Sequence, residues 1–463
     1  ATSVAGGPRI DWSVATNATN DPNGLIPALT LNSAQELQAS GNASLNIGGN
    51  VVAVVTTLTL DMATANVVTG NTAIVGLGAT PGTIEGARVL SFTISGASLF
   101  AGTGGALSAD RSTVVTTGAT GFSVTGASLA LATVSKGTTS FTGLEATVSN
   151  ASLVGVSGVD VRVGGAVKVN TTSVAGGQRI NWTVATRTSN DPGNLIPALM
   201  LTRAQELQAS GNASLNIGGN VVAVVTSLTL DMATTNVVTG NAAIVGLGAT
   251  AGLIEDASLL SFTISGASLF VGTGGALSAD RTTVVTTGAT GFSVGGASFA
   301  LATVSKGATS FTGMEVAISD AALIGVDGVD VRVSGAVKLN KTNVAGGPRI
   351  DWTVATNLTN DPDNLIPALT LTSAQELQAS GSASLNIGGN VVAVVSSLTL
   401  DMATANVVTG NVAIVGLGVT PGTIDGARIL SFSISGASLF VGTGGALSAD
   451  RSAVVTTGAM GFA

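Results

Sequence analysis

The sequence predicts an all-β chain, a repetitive parallel β-solenoid-like array of 170-residue units, with tandem β-sandwich domains as the alternative. Three observations predict it. Long motifs return at one fixed interval, residues alternate apolar and polar within each unit, and the composition favours small and β-branched side chains with many turns.

The interval comes first. Trp12, Trp182 and Trp352 stand 170 residues apart, and "NIGGNVVAVV" (from 46, 216 and 386) and "GALSADR" (from 105, 275 and 445) keep the same phase. The chain therefore divides into unit 1 (1–170), unit 2 (171–340) and a truncated unit 3 (341–463). It opens on "ATSVAGG", without Met or a signal-peptide pattern, and reads as an excerpt of a longer array.

Inside a unit, "SGNASLNI", "DMATANVV", "ISGASLFA", "VTGASLAL" and "VSNASLVG" resemble one another, at spacings of 22 to 32 residues. In "ELQASGNASLNI", Leu37, Ala39, Gly41, Ala43, Leu45 and Ile47 share one face, while Glu36, Gln38, Ser40, Asn42, Ser44 and Asn46 share the other. That is strand periodicity with one buried face. "SAQE" (33–36) has the form of a helix capping box, but the alternation that follows overrides it. "VDVRV" (159–163) alternates likewise, with Asp160 and Arg162 outward. Solenoid coils of about 24–28 residues would advance roughly 30 Å per unit at ~4.8 Å each.

Composition then excludes much chemistry. Charged residues are 9% of the chain, against roughly 25% in ordinary globular proteins. The net charge of −8 comes without a basic cluster, which argues against nucleic acid as a partner. No apolar run reaches the length of a membrane-spanning helix, so no membrane insertion is expected. With no His and no Cys there is no Ser–His–Asp triad, thiol nucleophile or ordinary zinc site. Lys136 and Lys306 each follow a Ser, but neighbours on a strand face opposite sides. The Gly strings "GLGATPG" and "GTGGALS" match no phosphate loop and read as turns. No catalytic residue or cofactor is expected, and the chain reads as a non-enzyme.

Calcium is the one metal the composition admits, because it takes oxygen ligands. Its candidates are Asp320, Asp327 and Asp330 in "SDAALIGVDGVD" and Asp361 and Asp363 in "TNDPDN". None fits an EF-hand or nonapeptide spacing, and the first-unit equivalents of Asp320 and Asp327 are Asn150 and Ser157. Asx-Pro turn chemistry is the competing reading of "NDP". "SADR" sets Asp110 beside Arg111 in every copy, as a surface turn with local charge balance or as a lateral contact between protomers.

"AGGPRIDW" concentrates a cation, an acid and an aromatic. Asp11 becomes Asn181 in the second copy, a change that a general acid would not survive but a hydrogen-bond acceptor in a turn would. Period two places Ile10 and Trp12 on one face, after a Gly-Gly turn. Trp12, Trp182 and Trp352 are therefore expected to be structural anchors, in the core of a strand or at the seal between successive units.

In overall character the chain resembles giant tandem-repeat bacterial cell-surface proteins of the adhesin-, sheath- or filament-forming type. The near-identical units, the Gly/Ala/Val/Ser/Thr bias, the lack of Cys and the acidic balance carry that resemblance. It implies an extracellular structural protein that self-associates into a homo-oligomeric filament, tube, sheath or surface layer. The stalk of a large adhesin or carbohydrate-binding surface protein is the alternative.

Overall fold

A computed structural model describes residues 7–463. Gly6, half of the turn expected before Arg9, lies outside the described residues. The chain is all-β, and its long strands form one sixteen-stranded sheet in chain order. The first six are β1 (Gln35–Ile47), β2 (Val51–Val68), β3 (Thr83–Thr103), β4 (Thr120–Lys136), β5 (Thr139–Val154) and β6 (Val159–Thr172). The next six are β7 (Gln205–Ile217), β8 (Val221–Val238), β9 (Leu253–Thr273), β10 (Thr290–Lys306), β11 (Thr309–Ile324) and β12 (Val329–Thr342). The last four are β13 (Gln375–Ile387), β14 (Val391–Val408), β15 (Thr423–Thr443) and the short β16 (Met460–Phe462). One-turn helices α1 (Trp12–Ala15), α2 (Trp182–Ala185) and α3 (Trp352–Ala355) precede β1, β7 and β13.

The pairings described within the sheet are antiparallel, which corrects the expected parallel solenoid. The turns explain why. Gly48 and Gly49 adopt φ of 58° and 70°, Asn50 N donates to Ile47 O at 2.9 Å, and the chain reverses at once into β2. Gly137, at φ 58°, does the same between Lys136 and Thr139, which pair directly. Connections this short return a strand only antiparallel, whereas a parallel return needs a dozen or more residues. Even the long 69–82 loop is pinched shut, with Thr69 N donating to Gly82 O at 2.8 Å.

The chain divides into two compact units: residues up to Ser157 with Arg162–Ser210, and Gly158–Val161 with Gly211–Ala463. In the first, Val89, Val134 and Phe141 are buried beneath Ile180, Trp182 and Leu199, and Phe100 is buried with Val52 and Ala119 beside Leu107 and Val114. In the second, Leu259, Val304, Phe311, Ile350, Trp352 and Leu371 are buried, and Phe270 packs with Val222 and Ala289 beside Leu277 and Val284. Each sheet face covered in this way is covered by the chain's own loops.

The buried face expected for "ELQASGNASLNI" is also corrected. Leu37, Leu45 and Ile47 are exposed, as are Ile217 and Ile387 in the later copies. In β13 the buried side chain is Ser384, opposite buried Val394. From Leu377 on the period of two holds along β13, the extra residue of the bulge opposite Gly381–Ala383 lying in β14, and the loops cover the more polar side of this strand. The apolar side is left open.

Candidate functional site: the joint between successive repeats

Residues 177–206 and 347–376 each build the same joint against strands of the preceding 170-residue period. In the second compact unit, Asp351 N donates to Thr239 O at 2.8 Å, and Asn241 Nδ2 donates to Arg349 O at 2.7 Å. α3 then turns Trp352 down onto the sheet, where it is 0% exposed. Its Nε1 donates to Asn340 Oδ1 at 3.0 Å, while Asn340 Nδ2 donates to Ile350 O at 2.8 Å and Thr372 O at 2.9 Å. One buried amide thus satisfies the indole and two carbonyls, which removes the desolvation cost of all three. Gly313 in β11 makes room, because a Cβ there would stand 2.5 Å from Trp352 Cε2.

The first compact unit repeats the geometry. Asn181 N donates to Thr69 O at 2.8 Å, and Trp182 Nε1 donates to Asn170 Oδ1 at 2.9 Å. Gly143 lies under the ring, where a Cβ would meet Trp182 Cε2 at 2.6 Å. Trp182 is likewise 0% exposed, whereas Trp12 is half-buried.

This arrangement corrects the strand expected for "RIDW". The segment enters a helical turn with the residue before Trp at its N-cap, where Asp11 alone of the three bonds a helix amide through its side chain. Asp11 Oδ1 accepts from Val14 N at 3.2 Å and from Ser13 Oγ at 2.6 Å, and the Ser13 bond chiefly holds its carboxyl below the usual range. Asn181 Oδ1 accepts from Thr183 Oγ1 at 2.6 Å, and Asp351 Oδ1 from Thr353 Oγ1 at 2.5 Å. An acceptor is what the position uses, so Asp and Asn interchange.

Arginine closes the joint on the following strand. Arg9, Arg179 and Arg349 reach Glu36, Glu206 and Glu376 at 2.5, 2.8 and 3.2 Å. The Thr404 hydroxyl, with Arg349 and Arg428, keeps the Glu376 carboxyl below its ordinary value.

The calcium candidates divide. Asp361 lies in the loop that covers Trp352, and its two oxygens accept from Leu365 N at 3.0 Å and Ile366 N at 2.7 Å. Burial pushes its carboxyl up. Its equivalents Asp21 and Asp191 bind the same pair of amides, four and five residues on, so the carboxylate closes its own loop over a longer reach than an Asx-turn. Asp320 accepts from Arg332 at 3.0 Å, and Asp330 from Arg451. Asp327 and Asp363 do not join them: among the described residues, no three or more His, Cys, Asp or Glu gather as a metal site.

The "SADR" turn is built differently from local charge balance. Asp450 accepts from Ser448 Oγ at 2.6 Å, Ser452 Oγ at 2.8 Å and Ser452 N at 3.1 Å, so it closes its own turn. Arg451 takes φ 57° and swings away, donating from Nε at 3.0 Å and from Nη2 at 2.7 Å to Asp330, 121 residues earlier. Arg281 and Asp160 form the same ion pair. Arg111, in the first copy, instead reaches Ser44 Oγ at 3.3 Å. The hydroxyl of Ser448, then that of Ser452, hold the Asp450 carboxyl at about 2, and Asp110 is held likewise at about 2 by Ser108 and Ser112. A depressed folded value means that the turn's contribution is fully present above the unfolded value near 3.8 and is lost as pH falls towards 2. Carbon-detected NMR titration is expected to give both aspartates midpoints near 2; midpoints near 3.8 would show the turns open in solution.

Ser305 and Lys306 separate, Ser305 Oγ bonding Ser258 O and Lys306 Nζ bonding Asp256 O. Sequence reasoning missed Asn170, Asn340, Gly143, Gly313, Asn71 and Asn241. Only their recurrence at the repeat interval marked them, and that marks every residue of a near-identical repeat equally. No family model matches the chain, and no curated protein matches it.

Proposed function

We propose that the chain is a structural repeat protein of the cell exterior, whose product is length and which assembles with copies of itself. The joint carries this reading. A lock of backbone bonds, a buried Trp–Asn pair and ion pairs ties each 170-residue period to the one before, so units add without a new interface having to be invented. Of the side chains singled out as reactive, Asp110, Asp320, Asp330, Asp361 and Lys306 are engaged in holding turns and strands. An apolar composition with 9% charged residues favours association in a crowded extracellular layer.

Negative-stain electron microscopy of the purified chain, at rising concentration, is expected to show filaments, tubes or sheets. A monodisperse monomer at millimolar concentration would overturn the reading.

A further inference from the structure

In the second compact unit, the sheet face opposite Trp352 and Phe270 is apolar and uncovered. Directly opposed residues of an antiparallel sheet point to one side, so the registers of β8 to β14 give whole rows. One runs Leu230, Phe262, Leu301, Met314, Leu339, Leu377, Met402. The next runs Leu228, Ile264, Phe299, Val316, Val337, Ala379, Leu400. Two further rows hold Leu269, Val294 and Val333, and Val271, Phe292 and Leu323. None of these side chains is buried; Phe292 and Val333 are 49% and 48% exposed. These rows hold no charged residue. The first compact unit carries a matching row, Leu58, Ile94, Leu129, Ala146, Val167.

Seven strands at ~4.8 Å and about ten residues at ~3.4 Å make a face on the order of 1,000 Å². A stable interface needs about 800 Å² per partner. The face also has relief. Phe262 and Phe299, with ring centroids 5.7 Å apart, form a ridge on β9 and β10. On β12 and β13 the paired Gly335 and Gly381 floor a groove of about 480 Å³, walled by Ile318, Val333, Val337 and Leu398. Ridge and groove lie equally far to either side of β11, the ridge at the level of Met314 and Val316 and the glycines one row further, at Ile318.

We infer that this face binds a second copy of the chain, sheet against sheet. A two-fold axis along β11 sets each copy's Phe299 over the other's Val337 and its Phe262 over Leu377, at the rim of the glycine groove. Such a contact is isologous, with sheets about 10 Å apart. This rests on the self-assembly reading above and names the surface that performs it.

The chain has no Cys, so one introduced thiol reports the contact. Ile318→Cys, on β11 at the axis, is expected to give a covalent dimer with a short bis-maleimide, which spans the gap between sheets that a disulfide cannot. Thr283→Cys, exposed next to Val284 where residues 276–277 pair with 284–285 at the other face, is expected to give none. Phe299→Lys, and independently the more exposed Val337→Lys, should weaken dimerisation in sedimentation by roughly tenfold or more, with circular dichroism unchanged. Assembly that persists without the Ile318→Cys crosslink, and that ignores both lysines, overturns this face and leaves the self-assembly reading standing. A chain monomeric at every concentration overturns both. A monomer that binds phosphatidylcholine vesicles, and loses them with Val337→Lys, gives the face to lipid and overturns the dimer.

Discussion

Trp352→Ala is expected to destabilise its joint by about 3–5 kcal/mol, the range for deleting a large, fully buried aromatic. The indole is 0% exposed, its N–H is bonded to Asn340, and Gly313 leaves no slack beneath it. Trp182→Ala should cost the same. Trp12→Ala should cost well under half as much, because Trp12 is only half-buried. Urea unfolding followed by circular dichroism and by the remaining tryptophans measures the three. Loss of one joint is expected to split off an early step, because repeat arrays unfold unit by unit when one interface weakens. Equal costs at all three positions would sink the junction account and leave Trp as an ordinary core residue.

The all-β class was legible because alternation and composition act locally, on each strand by itself. Strand direction was legible too, but in the turns rather than in the strands. "NIGGNVV" places two glycines between alternating segments, which is a hairpin signal. The repetition drew the reading towards a solenoid, where the same glycines would serve as coil corners. In "RIDW", period two fits four residues as well as a capped helical turn does, so the pattern had no power to separate them. In "SADR", adjacency suggested that Asp110 and Arg111 balance each other. Left-handed backbone at Arg111, Arg281 and Arg451 points the guanidinium elsewhere, and no local pattern reports a φ of about 60° at an arginine.

The site was legible at its aromatic and illegible at its amide. A tryptophan that occurs once per repeat stands out in a chain with 3% aromatic residues. Asn340 stands at the end of "AVKLN", in a chain full of Asn, and nothing in its neighbours marks it as buried. Its role exists only because residues 350–372 fold back over β12, bringing two carbonyls and an indole N–H to one point.

That convergence makes Asn340→Leu the second large effect. Leucine has similar volume, so packing changes little, but Trp352 Nε1 and the Ile350 carbonyl lose their partner, while the Thr372 carbonyl keeps the Gln375 amide at 3.2 Å. Each buried group left unpaired costs about 1–3 kcal/mol, so a loss of about 2–6 kcal/mol is expected for the two. Asn340→Asp separates packing from hydrogen bonding. The carboxylate still accepts from the indole but has no proton for either carbonyl, and it is buried. Burial raises its folded pKa above the unfolded value, so the variant is least destabilised below the unfolded aspartate value, and its deficit grows as pH rises through the folded one. Asn340→Leu should show no such added dependence. In a Trp352→Ala background, Asn340→Leu should cost clearly less than it does alone, because one of its three partners is already gone. Full additivity of the two losses would mean that amide and indole act independently, and the joint would then be two neighbouring contacts rather than one lock.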